Sequence, residues 1–333
     1  MSILPMVTVM AAVVELKSVS KSFGSIVALN DITIEVPAQS ISVLLGPNGA
    51  GKTTAIRLIT GALDPDSGSI SVLGLEPTDE IQGEEVRRRC GVVSAKPSLY
   101  DRLNGWDNLC YAAELFGLGR GPRAEQRIAE SADQFGIRHA LDQRVGGYST
   151  GMKTRLALAR SILHRPELLL LDEPTSGLDP ESAAAVLDLI KTMTADGQTV
   201  IMCTHLLLEA EGLADQVVVM EDGTAMISGP PPELARAYWP DPVVRIEAER
   251  GTDLDPLAHV DGVLGYERTD DTATLALDNE ERVADLILAL SRSGIRLRAV
   301  EPYHPSLEDL YFAVRGSSRA TVSLGPGSAE AVR

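Results

Sequence analysis

The segment Gly46-Pro47-Asn48-Gly49-Ala50-Gly51-Lys52-Thr53 restricts the fold of this chain more than any other feature. It fits the pattern of Gly, four residues and Gly-Lys-Ser/Thr, between an apolar run at 41–45 and a helical pattern at 53–60. In that order, the glycines let consecutive backbone N–H groups turn inward and bind an anion at the start of the helix. The pattern predicts a phosphate-binding loop, in which Lys52 reaches the β- and γ-phosphates of a nucleotide and the Thr53 hydroxyl ligates Mg²⁺.

A pair of carboxylates, Asp172-Glu173, follows four consecutive leucines at 168–171. The leucines predict a buried strand, and ligands of open α/β sheets bind where such strands end. We therefore expect Asp172 to bind Mg²⁺ and Glu173 to orient and deprotonate an attacking water. Taken alone, the segment fits a strand and an acidic turn equally well, so its combination with the phosphate-binding loop favours the catalytic role.

Strand and helix patterns alternate through the first two thirds of the chain. After early strands at 13–19 and 29–36, the pattern is mainly helical at about 97–160, and strands return at 199–203 and 216–220. This alternation predicts an α/β fold whose mostly parallel sheet has helices on its faces, with a helical subdomain at about 97–160.

A second domain follows Gly229-Pro230-Pro231-Pro232 and Pro240-Asp241-Pro242, and the length of 333 residues favours two domains. Its β-α-β-β-α-β pattern predicts a small ferredoxin-like domain, whose final helix has Ser306 as its N-cap. We predict an N-terminal extension at 1–12, a first domain at 13–235, an α+β domain at 240–315 and a disordered tail at 316–333. The α+β domain has predicted strands at 243–249, 263–269, 272–277 and 295–301, and helices at 253–259 and 281–293.

Charge and composition exclude several classes of protein. With 30 basic and 47 acidic residues, the net charge is −17, and no basic block suggests a nucleic-acid partner. The three cysteines are too far apart to predict a disulfide framework or a metal site, which favours a reducing, cytoplasmic location. The apolar stretch at 3–14 is too short to span a bilayer, so any membrane role requires a partner.

Four further motifs occur in a familiar order around these two elements. Tyr148-Ser149-Thr150-Gly151-Met152-Lys153 resembles the signature motif of ABC-type ATPases, with Met in place of Gln after the glycine. Ser176-Gly177-Leu178-Asp179 is similar to the D-loop of that family, and Thr204-His205 to its switch histidine. Lys21-Ser22-Phe23-Gly24 resembles the A-loop, so the six elements together cover residues 15–230.

This resemblance implies a P-loop NTPase of the ABC ATPase type, with antiparallel β and helical subdomains beside the parallel core. ATP and Mg²⁺ are its implied cofactors. Phe23 would stack on adenine, the loop residues and Thr54 would hold phosphate, and His205 would hydrogen-bond the γ-phosphate. In the family, Ser149 and Gly151 contact the ATP bound to the other subunit, with Asp179 beside them. The resemblance therefore implies a homodimer that encloses two ATP molecules.

One element departs from the family pattern. The loop that meets the membrane partner usually carries a glutamine, and our alignment places Ala95 at that position, within 91–97. Alanine provides neither a Mg²⁺ ligand nor a contact to the attacking water. We expect ATP binding to persist and hydrolysis to be slow, with the nucleotide site incomplete by one side chain.

Two stretches indicate the kind of ABC ATPase. Residues 96–109 and the segment Pro305-Ser306-Leu307-Glu308-Asp309-Leu310 resemble the ATPases of drug and antibiotic exporters, which have a separate permease and a short C-terminal regulatory or dimerisation domain. We predict the energising subunit of an exporter of drugs, antibiotics, lipids or similar compounds, at the cytoplasmic face of the membrane. The alternatives are a soluble ABC protein that acts on nucleic acid or ribosomes, and a slow regulatory ATP binder; Ala95 keeps the latter open.

Overall fold

The computed structural model describes residues 12–279, 281–292 and 296–316. Within them, the strands are β1 (Ala12–Phe23), β2 (Ile26–Pro37), β3 (Ile41–Leu45), β4 (Ser67–Val72), β5 (Cys90–Val93), β6 (Leu168–Asp172), β7 (Thr199–Thr204), β8 (Gln216–Glu221), β9 (Thr224–Gly229), β10 (Val243–Ala248), β11 (Val263–Thr269), β12 (Thr272–Leu277) and β13 (Leu297–Pro302). The α-helices are α1 (Lys52–Ile59), α2 (Glu80–Arg89), α3 (Gly105–Leu115), α4 (Pro122–Gln134), α5 (Thr150–Ser161), α6 (Pro180–Ala195), α7 (Leu207–Glu211), α8 (Pro231–Tyr238), α9 (Arg282–Arg292) and α10 (Leu307–Val314). The chain forms two units, Met1–Ser228 and Gly229–Arg333.

A six-stranded sheet with the order β5-β6-β7-β3-β8-β9 forms the centre of the first unit. The four pairs from β5 to β8 are all parallel. Every residue of β3, β6 and β7 is buried, because these strands are short apolar runs that have layers on both faces. The predicted α/β class with a mostly parallel core is confirmed. The carboxyl ends of the parallel strands meet at one edge, where the predicted site residues follow β3, β6 and β7.

An antiparallel sheet with the order β2-β1-β4 also belongs to the first unit. Its alternating apolar side chains share one hydrophobic core with the parallel sheet and α1. Among the residues of that core are Val14, Leu16, Ile34, Leu44, Ala55, Leu58, Leu170 and Ile201. This sheet is the antiparallel subdomain that the family resemblance implied.

The helical part of the first unit consists of α3, α4 and α5, which pack against one another. Asn104 caps α3 by accepting a hydrogen bond from Asp107 N, and Gly105 leaves room for the Tyr148 ring, whose hydroxyl a Cβ at Gly105 would meet at 2.4 Å. That hydroxyl donates to Ala140 O at 2.5 Å. The start of α3 is thereby fixed next to Tyr148, the first residue of the signature segment.

The second unit contains an antiparallel sheet with the order β11-β12-β10-β13. This is the strand order of the split β-α-β arrangement that the sequence predicts. The predicted helix at 253–259 is instead a 3₁₀ turn, Asp255–His259, since it has only five residues and a proline at its start. Ser306 caps α10 in a reciprocal capping box with Asp309, as predicted.

The division of the chain falls between Ser228 and Gly229, so α8 belongs to the second unit, whereas the sequence-based bounds extend the first domain to 235. The difference has a local cause, since α8 packs against α10 of the second unit. The predicted extension at 1–12, apart from Ala12, and the predicted tail after Gly316 lie outside the described residues.

Candidate active site

The predicted phosphate-binding loop connects β3 to α1, and close packing explains its glycines. A Cβ at Gly46 would lie 2.2 Å from Met220 O, and one at Gly51 would lie 2.6 Å from Ala28 O. Gly51 also has a φ of 99°, in the left-handed region that favours glycine. The remaining predicted residues of the loop and of the first helical turn are Pro47, Asn48, Gly49, Ala50, Lys52, Thr53 and Thr54.

Lys52 lies beneath this loop with only 6% of its surface exposed. Its Nζ donates to Gly46 O at 2.6 Å and to Pro47 O at 3.1 Å, and it lies 3.5 Å from Glu173 Oε1. A buried ammonium group requires such partners, because burying an unpaired ion costs on the order of several kcal/mol. The loop and the strand-end carboxylate are thus joined through one side chain.

Thr53 and Asp172 form the second connection across the site. Thr53 Oγ1 donates to Asp172 Oδ2 at 2.9 Å, although the two residues belong to α1 and to the end of β6. Burial raises the pKa of Asp172 above its ordinary value, the Thr53 hydrogen bond opposes that rise, and the charge of Glu173 adds to it. A hydroxyl and a carboxylate oxygen, held together in this way, match the oxygen ligands that Mg²⁺ prefers.

Glu173 is held in a strained turn at the end of β6. Its φ is 50°, which is uncommon for a residue other than glycine, and its N–H donates to Cys203 O on β7 at 2.9 Å. Its Oε2 lies 2.8 Å from His205 Nδ1, while its buried Oε1 has no hydrogen-bond partner in the described part of the chain. The carboxylate is therefore positioned between Lys52 and His205.

Glu209 is a residue that the sequence-based reasoning missed. Its Oε2 accepts hydrogen bonds from Thr175 Oγ1 at 2.8 Å and from Thr204 Oγ1 at 3.1 Å. It thereby connects the turn after Glu173 with the end of β7, next to His205. Its position four residues after His205 was a signal in the sequence, but its partner Thr175 is distant along the chain.

The signature and D-loop segments form a second cluster. Ser149 caps α5 by accepting a hydrogen bond from Met152 N. Asp179 caps α6, because its Oδ1 accepts a hydrogen bond from Ser182 N at 2.9 Å. The hydrogen bond from that backbone group keeps the pKa of Asp179 low. A Cβ at Gly151 would lie 3.6 Å from Ser182 Oγ, so the starts of the two helices are neighbours.

Among the described residues, no hydrogen bond or ion pair joins Ser149 or Asp179 to the cluster of Lys52, Asp172 and Glu173. Phe23, at the end of β1, is also separate by this criterion and is 45% exposed. Its strand end is fixed by the loop before β4, because Asp66 accepts a hydrogen bond from Ser22 N at 2.6 Å.

Ala95 borders a cavity of about 90 Å³ that also reaches Glu173. The methyl group of Ala95 provides no polar atom to this space, and the neighbouring Ser94 hydroxyl donates to Lys96 O at 2.9 Å. The residues that line the cavity are Val93, Ser94, Ala95, Pro97, Thr150, Lys153, Thr154, Glu173, Pro174 and Ser176. The signature helix and the loop after β6 therefore share it with the loop after β5.

Comparisons with known proteins are consistent with this geometry. Residues 29–176 match the family model for the ABC transporter, and residues 229–314 match the model for the C-terminal domain of DrrA1-3-like ATP-binding proteins. The daunorubicin/doxorubicin resistance ATP-binding protein DrrA of Streptomyces peucetius is 35% identical over 308 residues, which cover 91% of this chain and 92% of that protein. The chain belongs to the family of ABC transporter ATP-binding proteins.

Other members of the family extend the comparison. The Nod factor export ATP-binding protein I of Bradyrhizobium diazoefficiens is 34% identical over 91% of this chain and 96% of its own length. The solved structure of cbiO1 from Clostridium perfringens, part of the transporter complex cbiONQ, aligns with a TM-score of 0.61 at 26% identity. The alignment covers 67% of this chain and 90% of the cbiO1 chain. The present protein is thus an ABC ATPase that energises a membrane permease, as predicted.

No helix among the described residues of this ABC ATPase combines the length and the apolar character needed to cross a membrane. No group of three or more His, Cys, Asp or Glu side chains in the same residues is arranged to hold a metal ion by itself.

Proposed function

We propose that two copies of this ABC ATPase bind and hydrolyse MgATP between them and thereby drive export of a drug-like or antibiotic-like compound by a separate integral membrane permease. The observation that carries the proposal is the position of Glu173. Its Oε1 lies 3.5 Å from Lys52 Nζ, and its Oε2 lies 2.8 Å from His205 Nδ1. A base between a phosphate-binding lysine and a histidine is suited to activating a water for attack on a γ-phosphate.

ATP binding would change the partners of Lys52. Its ammonium group would leave the carbonyls of Gly46 and Pro47 for the β- and γ-phosphate oxygens, which are the stronger acceptors. The same movement would release Glu173 Oε1 from its ion pair and leave that carboxylate free to accept a proton from the attacking water. His205 would hold the Oε2 side of the base and hydrogen-bond the γ-phosphate.

The pair of Thr53 and Asp172 fits a magnesium ion, because both provide oxygen ligands that already lie 2.9 Å apart. Bound Mg²⁺ would neutralise charge on the β- and γ-phosphates. Burial of Asp172 raises its pKa and so makes the isolated carboxylate costly, which favours a cation at this position.

The homodimer supplies the remaining contacts in this proposal. Ser149, Gly151 and Asp179 lie together at two helix N-termini, and in the part of the chain that the structure describes they have no polar contact to the Lys52 cluster. Such termini bind anions. We assign these three residues to the ATP that the partner copy binds. Phe23 is assigned to the adenine of the ATP that its own copy binds. A dimeric ABC cassette with bound ADP and Pi, 24% identical, has the same fold as the first unit.

A second cavity of the first unit, of about 410 Å³, suits the permease. We name it the docking cavity; its lining residues are Thr60, Ala62, Arg87, Cys90, Val92, Ser98, Tyr100, Asn108, Tyr111, Ala112, Leu115, Phe116, Arg160 and Ser161. Tyr100, Tyr111 and Leu115 are exposed, and large exposed apolar patches commonly bind a partner protein. Attachment there would hold the ATPase at the cytoplasmic face of the membrane.

The second unit would regulate assembly and take no part in the chemistry. Its described residues contain no cluster of His, Cys, Asp and Glu of the kind that holds a metal, and its match to the DrrA-like C-terminal domain supports a role specific to such exporters. The names of two relatives, which concern daunorubicin/doxorubicin resistance and Nod factor export, support export as the direction of transport.

A slow regulatory ATP binder is the second candidate, and Ala95 is the observation that favours it. Glu173→Gln tests both, because the amide keeps the shape of the side chain but removes the base. We expect ATPase activity to fall by about 10²–10⁴-fold and the variant to become a stable dimer in MgATP, measured by phosphate release and analytical ultracentrifugation. Glu233→Gln, on an exposed helix of the second unit, is the matched control.

Retention of wild-type turnover by Glu173→Gln would remove Glu173 from its assigned role. Co-purification of the wild-type chain with an integral membrane protein, released by detergent, would support the exporter. A chain that turns over ATP only slowly, and never co-purifies with a membrane protein, would favour the regulatory binder instead.

A further inference from the structure

One segment of the first unit borders both cavities. We name it the connector, residues 94–104, because it joins β5 to α3. Ala95 and Pro97 line the 90 Å³ cavity beside Glu173, whereas Ser98 and Tyr100, a few residues further along, line the docking cavity. A displacement of the connector by an occupant of the docking cavity would therefore be transmitted toward the active site.

Helix α5 is a second wall that the two cavities share. Thr150, Lys153 and Thr154 in its first turns line the smaller cavity, and Arg160 at its end lines the docking cavity. The N-cap of the helix is Ser149, which the proposed function assigns to the ATP of the partner copy. The orientation of α5 therefore determines whether the second half of each nucleotide site is in position.

Side chains attach the connector to α5 at two points. Lys153 Nζ lies 2.8 Å from Asp101 Oδ1, and Arg160 Nη1 donates to Ser98 O at 2.5 Å. Burial lowers the pKa of Arg160, which is consistent with a guanidinium group held in the wall rather than in solvent. The two contacts span α5 from its first turns to its C-terminal end.

Backbone hydrogen bonds continue the attachment just before the signature segment. Gly146 N donates to Asp101 O at 3.0 Å, and Val145 N donates to Leu103 O at 2.9 Å. Asp101 thus contacts both the 3₁₀ turn Val145–Gly147, which leads to Ser149, and, through its carboxylate, the helix that follows. No other residue of the connector has both kinds of contact among the hydrogen bonds and ion pairs of the described residues.

We propose that Asp101 and Lys153 form a positioning pair that transmits occupancy of the docking cavity to the N-terminus of α5, in place of the side chain that Ala95 lacks. The inference rests on the proposed function, because the occupant is the permease. Ala95 cannot transmit that signal through a polar contact. Arg160 attaches the connector to the C-terminal end of α5, so among the described residues the side-chain contact of the connector with the first turns of α5 is that of Asp101 with Lys153. The pair is partly exposed, at 31% for Lys153 and 63% for Asp101, so its contribution to stability is small.

The first test measures how MgATP drives dimerisation of the full chain that carries Glu173→Gln. Lys153→Met or Asp101→Asn should raise the MgATP concentration at the dimerisation midpoint by roughly three- to tenfold, since each dimer contains two such pairs. ATP binding by the monomer should stay within about twofold, because Lys52 and its loop are untouched. The charge-reversed double variant Asp101→Lys/Lys153→Asp should restore the midpoint.

Arg138→Met is the matched control, because it breaks another exposed ion pair in the same helical part of the first unit. In that pair, Arg138 Nη1 lies 2.5 Å from Asp133 Oδ2. Its midpoint should equal that of the parent. An unchanged midpoint in Lys153→Met and Asp101→Asn would overturn the inference and leave the proposed function standing. Failure of the Glu173→Gln parent to dimerise would overturn the proposed function, and the inference with it.

The second test introduces an occupant of the docking cavity. Ala62 is an exposed residue of its wall, so Ala62→Trp places an indole in the cavity without a permease. We expect Ala62→Trp to shift the MgATP concentration at the dimerisation midpoint by at least about twofold in the chain that retains Lys153. In a chain that also carries Lys153→Met, Ala62→Trp should have no effect on the midpoint. Equal shifts in both backgrounds, or no shift in either, would contradict transmission through the pair.

Discussion

The loops after β5 and β6 follow neighbouring parallel strands and end at the same edge of the sheet, yet they differ sharply in their contacts. The end of β6 and the loop after it carry Asp172 and Glu173, each fixed by a polar contact to another element. The β5 loop carries Ser94, whose hydroxyl contacts only its own segment, and Ala95, which has no polar side-chain atom. Chemistry is thus concentrated in one loop, and the other is open to a partner.

The positions of the two strands explain this difference. Strand β6 lies between β5 and β7, and Glu173 N continues its pairing by donating to Cys203 O. Strand β5 is at the edge of the sheet and has a single neighbour. A loop that leaves an edge strand has fewer backbone restraints, so a bound partner can move it at lower cost. The β6 loop provides the fixed geometry that catalysis requires.

Lys52→Ala should have the largest effect, because Lys52 connects the phosphate-binding loop with the β6 loop. We expect ATPase activity to fall by about 10²–10³-fold, the usual loss when a donor to developing charge is removed. Turnover and ATP affinity are measured by phosphate release and calorimetry. Lys191→Ala, on an exposed face of α6, is the control. Turnover near that of the wild type would mean that Lys52 does not contact the phosphates.

Asp172→Asn tests the proposed magnesium ligand at the end of β6. We expect a smaller effect on ATPase activity than that of Lys52→Ala. The amide oxygen can still accept from Thr53, but it is a weaker Mg²⁺ ligand, so we expect the Mg²⁺ concentration for half-maximal activity to rise at least tenfold, on the order of losses at other metal sites. Mg²⁺ titrations of ATPase activity provide the measurement. An unchanged Mg²⁺ requirement would contradict a role in metal binding.

The nucleotide-free Asp172→Asn variant should also be more stable at neutral pH. Burial raises the pKa of Asp172, so the folded chain binds this proton more tightly than the unfolded chain. The carboxylate therefore destabilises the fold at neutral pH, and the cost disappears as pH falls through its raised pKa. The variant should melt about 2–4 °C higher at pH 7, with a smaller difference at acidic pH. A lower Tm at both values would contradict this sign.

Local sequence patterns predicted the elements whose structure depends on neighbouring residues. The apolar run Ile41–Leu45, the glycine-rich turn and the start of α1 follow one another as expected, as do the strand order and the cap Ser306 of the second unit. The contacts of Glu209 with Thr175 and of Lys153 with Asp101 join residues distant along the chain. Such pairs depend on how elements pack, which spacing in one sequence does not specify.

The assigned roles of Phe23, Ser149 and Asp179 stay predictions for a physical reason of their own. Each lies at the end of a strand or helix, and among the described residues no polar contact joins it to the Lys52 cluster, so this part of the chain contains no interaction that tests its function. In the proposed function, a bound nucleotide and a second copy bring these groups together. The motif resemblance was therefore more informative about them than the fold of one chain.

Ala95→Gln has the smallest expected effect and tests the β5 loop directly. Ala95 shares its cavity of about 90 Å³ with Glu173, so a longer amide side chain has space to approach the attacking water. One added hydrogen bond is worth about 0.5–1.5 kcal/mol, which corresponds to a rise in basal turnover of roughly two- to tenfold. Phosphate release by the isolated chain at saturating MgATP provides the measurement.

Ser94→Ala is the control for Ala95→Gln, because the Ser94 hydroxyl donates to Lys96 O and has no assigned role toward the nucleotide. It should change neither basal turnover nor the Mg²⁺ requirement. If Ser94→Ala lowers basal turnover and raises the Mg²⁺ requirement, Ser94 is the ligand that substitutes for the missing glutamine. If Ala95→Gln leaves both unchanged, the two loops differ in sequence without a difference in function. A rise in turnover for Ala95→Gln alone would mean that the chain keeps its hydrolysis slow through one side chain of the edge-strand loop.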